Sequence, residues 1–311
     1  MSSKPNCLKA IDLFAGIGGI RLGFQKVFHN ELSFVFSSEI DKFSIKTYFA
    51  NFNEIPNNDI TKINEIEIPK HDILLAGFPC QAFSIAGLRK GFDDIRGTLF
   101  FDIVRIAQYH NPQILFLENV KGLLNHNKGN TFKIIISTLE QLGYKVYYKV
   151  LNTKDYGLPQ NRERVYIVCF KNHNIQFEFP LPFPLTIKIK DILETNVNDK
   201  YYYDKHIIKD NVINENTCYQ FRRTYIRENK NNICPTLTAN MGSGGHNVPL
   251  ILDNKGIRKL TPRECARLQG FPDSFNIVVS DTQAYKQFGN SVSIPVIEAI
   301  AKNILLALNN N

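Results

Sequence analysis

One cysteine follows an apolar segment that ends abruptly. The run at 73–76 passes through Gly77-Phe78-Pro79 into Cys80, and such a run predicts a buried strand. Ligands in open α/β sheets bind at the carboxyl ends of the strands, so a thiol placed there can act as a nucleophile. A free cysteine also packs well as a small buried hydrophobe. Taken alone, Cys80 fits both interpretations, and the other motifs decide between them.

A glycine-rich turn after the first apolar run has the composition of a nucleoside site. Gly16, Gly18 and Gly19 separate that run from a helical segment. Glycines in such a turn let a ligand approach the backbone N–H groups at the start of the helix. The dinucleotide fingerprint G-x-G-x-x-G is incomplete, because Arg21 stands where the third glycine belongs.

Two acidic residues extend this pattern. Glu39 follows the second apolar run, where a carboxylate can hold the two hydroxyls of a ribose. Asp59 can accept a hydrogen bond from an adenine amino group, and Phe14 and Ile60 offer apolar faces for the ring. A tight turn and solvated acids explain each residue better when it is taken singly, but they explain the whole set less well. Together the residues favour S-adenosylmethionine, which needs ribose, adenine and carboxylate contacts but no pyrophosphate cradle.

The apolar pattern indicates which elements position these residues. Short apolar runs, interpreted as strands, lie at 10–14, 32–37, 73–76, 114–117, 145–151 and 165–170. Segments with helical periodicity lie between them, at 98–109 and 131–142. This alternation predicts an α/β fold with a Rossmann-like, mostly parallel sheet covered by helices.

The second part of the chain differs in composition. Pro180, Pro182 and Pro184 end the alternating pattern and predict a linker. The segment after about residue 186 is polar, aromatic and basic. A last apolar helix at 294–308 is expected to pack back on the first part. We therefore assign 1–184 and 286–311 to one larger domain and 185–285 to a second, smaller domain.

Composition limits the class of protein. The 311 residues carry a formal net charge of +8 with a pI near 9.0, which fits a polyanionic partner but is weak support by itself. With 43% hydrophobic and 21% charged residues, and no apolar stretch long enough to span a bilayer, we expect a soluble, cytoplasmic protein. The six cysteines include no Cys-x-x-Cys pair, so we expect neither a metal site nor a disulfide framework. Cys169 and Cys265 are predicted to pack in the core.

Further segments complete the motif set of a known family. They are 96–102, Glu118-Asn119-Val120, Gln160-Asn161-Arg162-Glu163-Arg164, 258–272 and Gln287-Phe288-Gly289-Asn290-Ser291-Val292. In order and spacing, together with Pro79-Cys80 and the glycine-rich turn, they resemble the cytosine-5 DNA methyltransferases. The similarity covers nearly the whole chain. The compact chain is typical of the bacterial members that serve restriction-modification systems.

The resemblance implies a covalent mechanism. C5 of cytosine is a poor nucleophile, so the Cys80 thiolate first adds to C6. Glu118 then supplies a proton at N3, Arg164 polarises O2, and Arg162 helps to hold the constellation. The target base must be flipped out of the duplex. A simple ion pair would explain Glu118 and Arg164 individually, but not their order after a cysteine at the end of a strand.

The resemblance also implies the contact residues. Those for S-adenosylmethionine are Phe14, Ala15, Gly16, Gly18, Gly19, Glu39, Ile40, Asp59, Ile60, Pro79, Leu99, Asn290, Ser291 and Val292. Those for double-stranded DNA are Gln81, Ser84, Arg96, Arg222, Arg223, Arg227, Thr236, Asn240, Gly242 and Gly244. We favour phosphate over base contacts for the arginines at 222, 223 and 227. The stretch 236–242 looks like that of members acting on CCGG or CCNGG-type sites.

Residues 86–97 have the glycines and the basic charge of a lid over a flipped base. A plain surface loop is the alternative for this segment. The smaller domain, 185–285, is then the target-recognition domain, and we expect a monomer that serves the same system as a cognate restriction endonuclease.

Three other functions stay open from the sequence. One branch of the family methylates a transfer RNA cytosine with the same active site, although the sizeable basic segment favours DNA. A catalytically silent DNA-binding protein is disfavoured because every catalytic position is intact. A nicotinamide oxidoreductase is disfavoured because it leaves Cys80 and Glu118 unexplained together.

Overall fold

The first half of the chain forms the sheet that carries the candidate site. The computed structural model describes residues 7–79, 99–203, 210–222, 225–243 and 248–310. Strands of the first half are β1 (Leu8–Leu13), β2 (Leu32–Ser38), β3 (Ile73–Gly77), β4 (Ile114–Val120), β5 (Lys145–Asn152), β6 (Gln160–Asn161) and β7 (Glu163–Phe170). Within the described ranges, six of them form one sheet in the order β2-β1-β3-β4-β7-β5. The predicted α/β fold with a mostly parallel sheet is confirmed.

Strand direction brings the predicted catalytic positions to one edge of the sheet. β1, β2, β3 and β4 are parallel, and Gly77 at the end of β3 pairs with Glu118 near the end of β4. β7 runs antiparallel to β4, so its first residues lie beside the end of β4, with Val120 opposite Arg164. A sequence pattern of apolar runs does not reveal this reversal of β7. It is the feature that places Arg164 next to Glu118.

Helices cover both faces of this sheet. The helices of the described chain are α1 (Gly19–Phe28), α2 (Lys42–Phe52), α3 (Leu99–His110), α4 (Asn130–Gln141), α5 (Pro262–Leu268), α6 (Asp281–Asn290) and α7 (Ile294–Asn309), and some of them pack on the sheet. One face packs on α1 and α7, the other on α3 and α4. α7 lies so close to α1 that a Cβ on Gly23 would come within 2.5 Å of Ile297 Cγ2. The prediction that the last helix packs on the first part is therefore confirmed.

The second half contains a smaller antiparallel sheet. The described strands of the second half are β8 (Tyr219–Arg222), β9 (Tyr225–Glu228), β10 (Cys234–Pro235), β11 (Leu250–Asp253) and β12 (Gly256–Lys259). Four of them form the antiparallel sheet, in the order β12-β11-β8-β9. β10 instead pairs in parallel with β6 of the first half. Fully buried Arg258 forms ion pairs with Asp253 and Glu264 at 2.6 and 2.7 Å. The two ion pairs of Arg258 connect β12 with β11 and with α5.

The proline-rich segment predicted as a linker is tied to the first half. Phe183 packs edge-on against Tyr156 at 5.5 Å between ring centroids. The Tyr156 hydroxyl donates a hydrogen bond to the Pro180 carbonyl at 2.8 Å. The prediction for the cysteines is confirmed, because Cys169 and Cys265 are both fully buried and free.

One segment has the length and composition of a membrane-crossing helix. It spans Asp281–Asn309, with a mean hydropathy of 1.6 in its most apolar window. Half of that window is buried inside the protein, and the segment consists of α6 and α7 with an interruption at Ser291. Packing of α7 in the core accounts for this composition.

Candidate active site

A cavity of about 610 Å³ opens at the carboxyl ends of β1, β2, β3 and β4. This volume lies within the range of about 300–1,000 Å³ that is usual for small-molecule sites. Its walls include these predicted cofactor residues: Phe14, Ala15, Gly16, Gly19, Glu39, Ile40, Asp59, Ile60, Pro79, Leu99, Asn290, Ser291 and Val292. The fold thus gathers residues from four strand ends and from the turn between α6 and α7 around one space.

The three glycines of the first turn have different structural roles. Gly16 lines the cavity with φ +55°, and a Cβ there would meet no other atom within 4 Å. A Cβ on Gly19 would lie 2.7 Å from Ser291 Oγ, so this glycine lets α1 approach the turn before α7. Gly18 lies outside the described cavity lining. Gly18 has a φ of +81°, and a Cβ at this position would lie 2.1 Å from the Phe52 ring. Backbone conformation and packing therefore explain why a glycine stands here.

Two carboxylates on the cavity wall are held by hydrogen bonds. Glu39 accepts from the Gly16 amide at 2.7 Å, and also from the amides of Ile40 and Asp41 at 2.9 and 2.7 Å. Asp59 accepts from the amide and the hydroxyl of Thr61 at 3.1 and 2.7 Å. The hydrogen bond from the Thr61 hydroxyl is the main cause that lowers the pKa of Asp59. Asp59 is therefore an ionised, fixed acceptor.

This donor and acceptor set fits S-adenosylmethionine. Glu39 and Asp59 present fixed acceptors for ribose hydroxyls and an adenine amino group, and Phe14, Ile40 and Ile60 supply apolar walls. The N-terminal residue of α1, Gly19, also opens on the cavity. The free amides and the dipole at a helix N-terminus suit a carboxylate.

Glu118 and Arg164 form an ion pair at the inner end of the cavity. The two side chains are 11% and 13% exposed, and Arg164 Nε lies 3.2 Å from Glu118 Oε1. Burial raises the pKa of Glu118, although the charges of Arg164 and Arg162 oppose this shift. Burial disfavours the charged form of a carboxyl. Glu118 is therefore suited to give a proton to a ligand and Arg164 to hold a ligand oxygen.

Arg162 has a supporting position. Its guanidinium donates to the carbonyls of Leu237, Gly289 and Ser291 at 2.8, 3.2 and 2.5 Å. Burial, together with the charge of Arg164, lowers the pKa of Arg162 to about 9. Arg162 lies outside the described cavity lining. It therefore ties the start of β7 to the Asn290–Ser291 turn rather than contacting a ligand.

Comparisons with known proteins agree with this geometry. The sequence model of the family described as C-5 cytosine-specific DNA methylase matches residues 8–306. The chain belongs to this family.

This methylase is 50% identical over 311 residues to the Type II methyltransferase M.Bsp6I of Bacillus sp. (strain RFL6), covering 96% of this chain and 98% of the relative. It is 49% identical to the Type II methyltransferase M.SsoII of Shigella sonnei, covering 97% of this chain and 81% of the relative. The Entamoeba histolytica methyltransferase EhMeth has the same fold, with a TM-score of 0.74 and 21% identity over 97% of this chain and 98% of that one.

Membership of the C-5 cytosine-specific DNA methylase family defines the reaction that this protein catalyses. A methyl group passes from S-adenosylmethionine to C5 of cytosine in DNA. The predicted family, cofactor and activity are confirmed. The nicotinamide alternative is wrong.

Several of the methylase's predicted DNA contacts lie in the described second half. Arg227 is exposed on β9, whereas Arg222 donates to Gln220 Oε1 at 3.0 Å. Thr236 donates through its hydroxyl to the Asn161 carbonyl at 2.6 Å, and Asn240 is exposed. Gly242, with φ +78°, packs against Tyr285, whose Cδ2 lies 2.6 Å from a built Cβ. Outside the described residues are Cys80, Gln81, Ser84, Arg96, Arg223, Gly244 and the proposed lid at 86–97.

Sequence reasoning missed Asn119 in the methylase's site. Its Nδ2 donates to the Phe78 carbonyl at 2.8 Å, and its Oδ1 accepts from the Val120 amide at 2.8 Å. Asn119 thereby fixes the peptide just before Pro79 against the end of β4. Its place between Glu118 and Val120 at a strand end was the available signal.

An ion pair on the cavity wall was also missed. Lys286 of α6 lies 2.6 Å from Asp41, which caps α2 by accepting from the amides of Phe43 and Ser44. Both members of the pair line the cavity. No local signal reveals the pair, because 245 residues separate its members in sequence.

Proposed function

We propose that this methylase is the modification enzyme of a type II restriction-modification system and that Cys80, Glu118 and Arg164 carry its chemistry. The observation that carries the proposal is the buried Glu118–Arg164 pair, which sits beside a cavity that fits S-adenosylmethionine. β3 ends one strand away from this pair, and Cys80 follows it by three residues. The relatives named Type II methyltransferases support the biological role.

The first step is addition of the nucleophile. The Cys80 thiolate forms a bond from its Sγ to C6 of cytosine, and the C5–C6 electron pair shifts through the ring toward N3. Glu118, in the protonated form that burial favours, donates its proton to N3. Arg164 holds and polarises O2. These movements leave C5 as the nucleophilic carbon of an enamine.

The second step transfers the methyl group and restores the base. When bound, S-adenosylmethionine would supply an electrophilic methyl group on its sulfonium. The C5 electron pair would form the new bond to this methyl carbon, while the S–CH3 bond would break and its electron pair would leave with S-adenosylhomocysteine. A water molecule then removes the C5 proton, the C5–C6 double bond re-forms, and the Sγ–C6 bond breaks with return of the thiolate. Glu118 recovers its proton from N3, which completes the cycle.

The cofactor residues act as a fixed cradle. Glu39 is the acceptor for the ribose hydroxyls, and Asp59 is the acceptor for the adenine amino group. Ile40, Ile60 and Leu99 bound the adenine region, while the α1 N-terminus and the turn at Asn290 bound the amino-acid region. Because backbone amides hold Glu39, the cradle is preorganised.

DNA binds across the face that carries this edge of the sheet. Residues 185–285 form the target-recognition domain, opposite the catalytic domain of 1–184 and 286–311. Arg222, Arg223 and Arg227 contact phosphates, and the turn at 236–244 approaches the flipped nucleotide. Gln81, Ser84 and Arg96 contact DNA from the loop after Cys80, and residues 86–97 close over the base. The protein acts as a cytoplasmic monomer beside a cognate endonuclease.

Methylation in cells tests this function and gives the target site. The gene is expressed in a host without cytosine methylases, and the host DNA is sequenced after bisulfite treatment. We expect protected cytosines at one short motif, with CCGG and CCNGG as the first candidates, and none with Cys80→Ser. Full conversion of all cytosines with soluble wild-type protein, or unchanged protection with Cys80→Ser, contradicts the proposal.

A further inference from the structure

Arg105 lies on α3, next to the wall of the cavity that carries Asp59 and Ile60. Its guanidinium uses all three nitrogens. Nη2 donates to the Ile60 carbonyl at 2.5 Å, Nη1 to Glu65 Oε2 at 2.8 Å, and Nε to Asp102 Oδ1 at 2.9 Å. Arg105 therefore joins α3 to two consecutive turns that precede β3.

The turn held by Arg105 is the one that presents the adenine acceptor. Asp59 begins the short 3₁₀ turn Ile60–Lys62, and both Asp59 and Ile60 line the cavity. The Ile60 carbonyl accepts from the Ile63 amide at 3.3 Å and from Arg105 at 2.5 Å. The bond from Arg105 fixes the orientation of the Ile60–Thr61 peptide, whose N–H donates to Asp59 Oδ1 at 3.1 Å.

The charge of Arg105 also balances an acidic cluster. Asp59, Glu65 and Asp102 surround this region, and Arg105 forms ion pairs with the last two. Burial raises the pKa of Asp102, the hydrogen bond and the charge of Arg105 oppose that rise, and the charge of Asp59 adds a smaller part to it. Loss of the guanidinium would leave the Glu65 and Asp102 carboxylates without this ion-pair partner beside the turn.

We propose that Arg105 is a positioning residue for recognition of the adenine base, acting through the Ile60 carbonyl to set the direction of the Asp59 carboxylate. The inference rests on the proposed role of Asp59 and deepens it. Arg105 itself lies outside the described cavity lining. Arg105 therefore affects the cofactor indirectly, and only at its adenine base.

The chain offers a matched control at Arg267. Its side chain is 27% exposed, compared with 28% for Arg105. It also pairs with a carboxylate, that of Asp273, and donates to the backbone carbonyls of Ile192 and Leu193. Arg267 lies on α5, away from the cavity. Both substitutions thus remove an ion-paired arginine that is about a quarter exposed, but only the substitution of Arg105 removes a contact with the Ile60 turn.

The test is equilibrium binding of two ligands that differ only in the base. S-adenosylhomocysteine and its hypoxanthine analogue, S-inosylhomocysteine, are titrated calorimetrically into wild-type protein, R105Q, R105K and R267Q. Hypoxanthine presents a carbonyl oxygen where adenine has its amino group, so a fixed Asp59 carboxylate rejects it. We expect R105Q to bind S-adenosylhomocysteine about tenfold more weakly, as loss of one or two charged hydrogen bonds predicts.

The ratio of the two affinities separates positioning from general stability. R105Q is expected to lose most of the wild-type preference for adenine, R105K to retain an intermediate preference, and R267Q to match the wild type. Equal weakening of both ligands by R105Q, or identical behaviour of R105Q and R267Q, overturns the inference. If R105Q does not fold, the same comparison with R105K decides. Wild-type binding without preference for adenine contradicts the proposed role of Asp59 and overturns the inference with it.

Discussion

At the residue scale, burial determines which form of each ionisable group is present. Glu118 and Arg162 are buried within one cluster. Burial raises the pKa of Glu118 and lowers the pKa of Arg162, which favours the neutral form of each side chain. For Glu118 this is the form that donates a proton. Asp59 has the opposite environment, because hydrogen bonds from Thr61 keep it ionised. The sequence predicted the identity of these acids, but their different protonation depends on contacts that only the fold supplies.

Glu118→Gln tests the acid. The amide keeps the size of the side chain but cannot deliver a proton to N3, so the single-turnover rate of methyl transfer should fall by about 10² to 10⁴-fold. In the wild type the protonated carboxyl is needed, so the rate should fall as pH rises through the raised pKa of Glu118. Binding of S-adenosylhomocysteine is the control and should stay unchanged. A rate within a few-fold of the wild type would exclude Glu118 as the donor.

Asp12 gives a second residue-scale prediction, on stability. It is fully buried on β1, its Oδ1 has no hydrogen-bond partner in the described structure, and Tyr48 donates to its Oδ2 at 3.4 Å. Burial, partly offset by Arg21, raises the pKa of Asp12 from 3.8 to about 8. Because the folded state holds this proton more tightly than the unfolded state, stability from Asp12 is present at low pH. It is lost as pH rises between these two values.

The comparison is between wild-type protein and Asp12→Asn, which is neutral at every pH. From pH 6 to 8, urea unfolding should show the wild type losing about 2 kcal/mol of unfolding free energy relative to the variant. Other titrating groups are common to both proteins and cancel. Parallel stability curves across this range would show that Asp12 is already ionised at pH 6.

At the element scale, the sequence predicted the strands and helices but not how the chain returns through the sheet. Apolar runs located β1, β3, β4 and the last helix within a few residues. The apolar pattern did not show that β7 is antiparallel, because an apolar run has no direction. The short connection between β5 and β7, too short for a helical crossover, was the available signal. The proline segment was predicted as a linker, although Phe183 packs on Tyr156. Pairings such as Arg105 with Ile60 join residues far apart in sequence, and local patterns do not encode them.

Arg162 and Arg164 lie two residues apart but should respond differently to substitution. Arg162→Met leaves the carbonyls of Leu237, Gly289 and Ser291 without their buried donor, which should lower the unfolding free energy by about 3 kcal/mol. Arg164→Met leaves Glu118 free to stay protonated, so stability should change less.

Methyl transfer per folded molecule should show the reverse order, with the larger loss for Arg164→Met, because only Arg164 lines the cavity. Urea unfolding and single-turnover rates measure both quantities. Equal destabilisation by the two variants, or full activity of Arg164→Met, would contradict these roles.

At the scale of the whole molecule, one set of contacts between the two halves lies next to the catalytic residues. β6 pairs with β10, and the buried Gln160 donates to Leu268 and accepts from Leu237. Thr236, predicted near the target phosphate, is bonded to Asn161 in the same region. The segment expected to approach the flipped nucleotide is thus fixed to β6, the strand just before the one that carries Arg164. The family motif implied only that Thr236 contacts DNA, and the hydrogen bonds that place it beside β6 became visible only in the fold.

The proposed reaction depends most on a transient bond between Cys80 and the target base. A duplex that carries 5-fluorocytosine at the methylated position is incubated with the protein and S-adenosylmethionine, and the mixture is separated under denaturing conditions. Fluorine cannot leave C5 as a proton does, so the Sγ–C6 bond should persist and give one protein covalently joined to one duplex, with peptide mass spectrometry placing the link at Cys80. Wild-type protein that methylates ordinary DNA at this position but never forms the covalent complex would contradict the account.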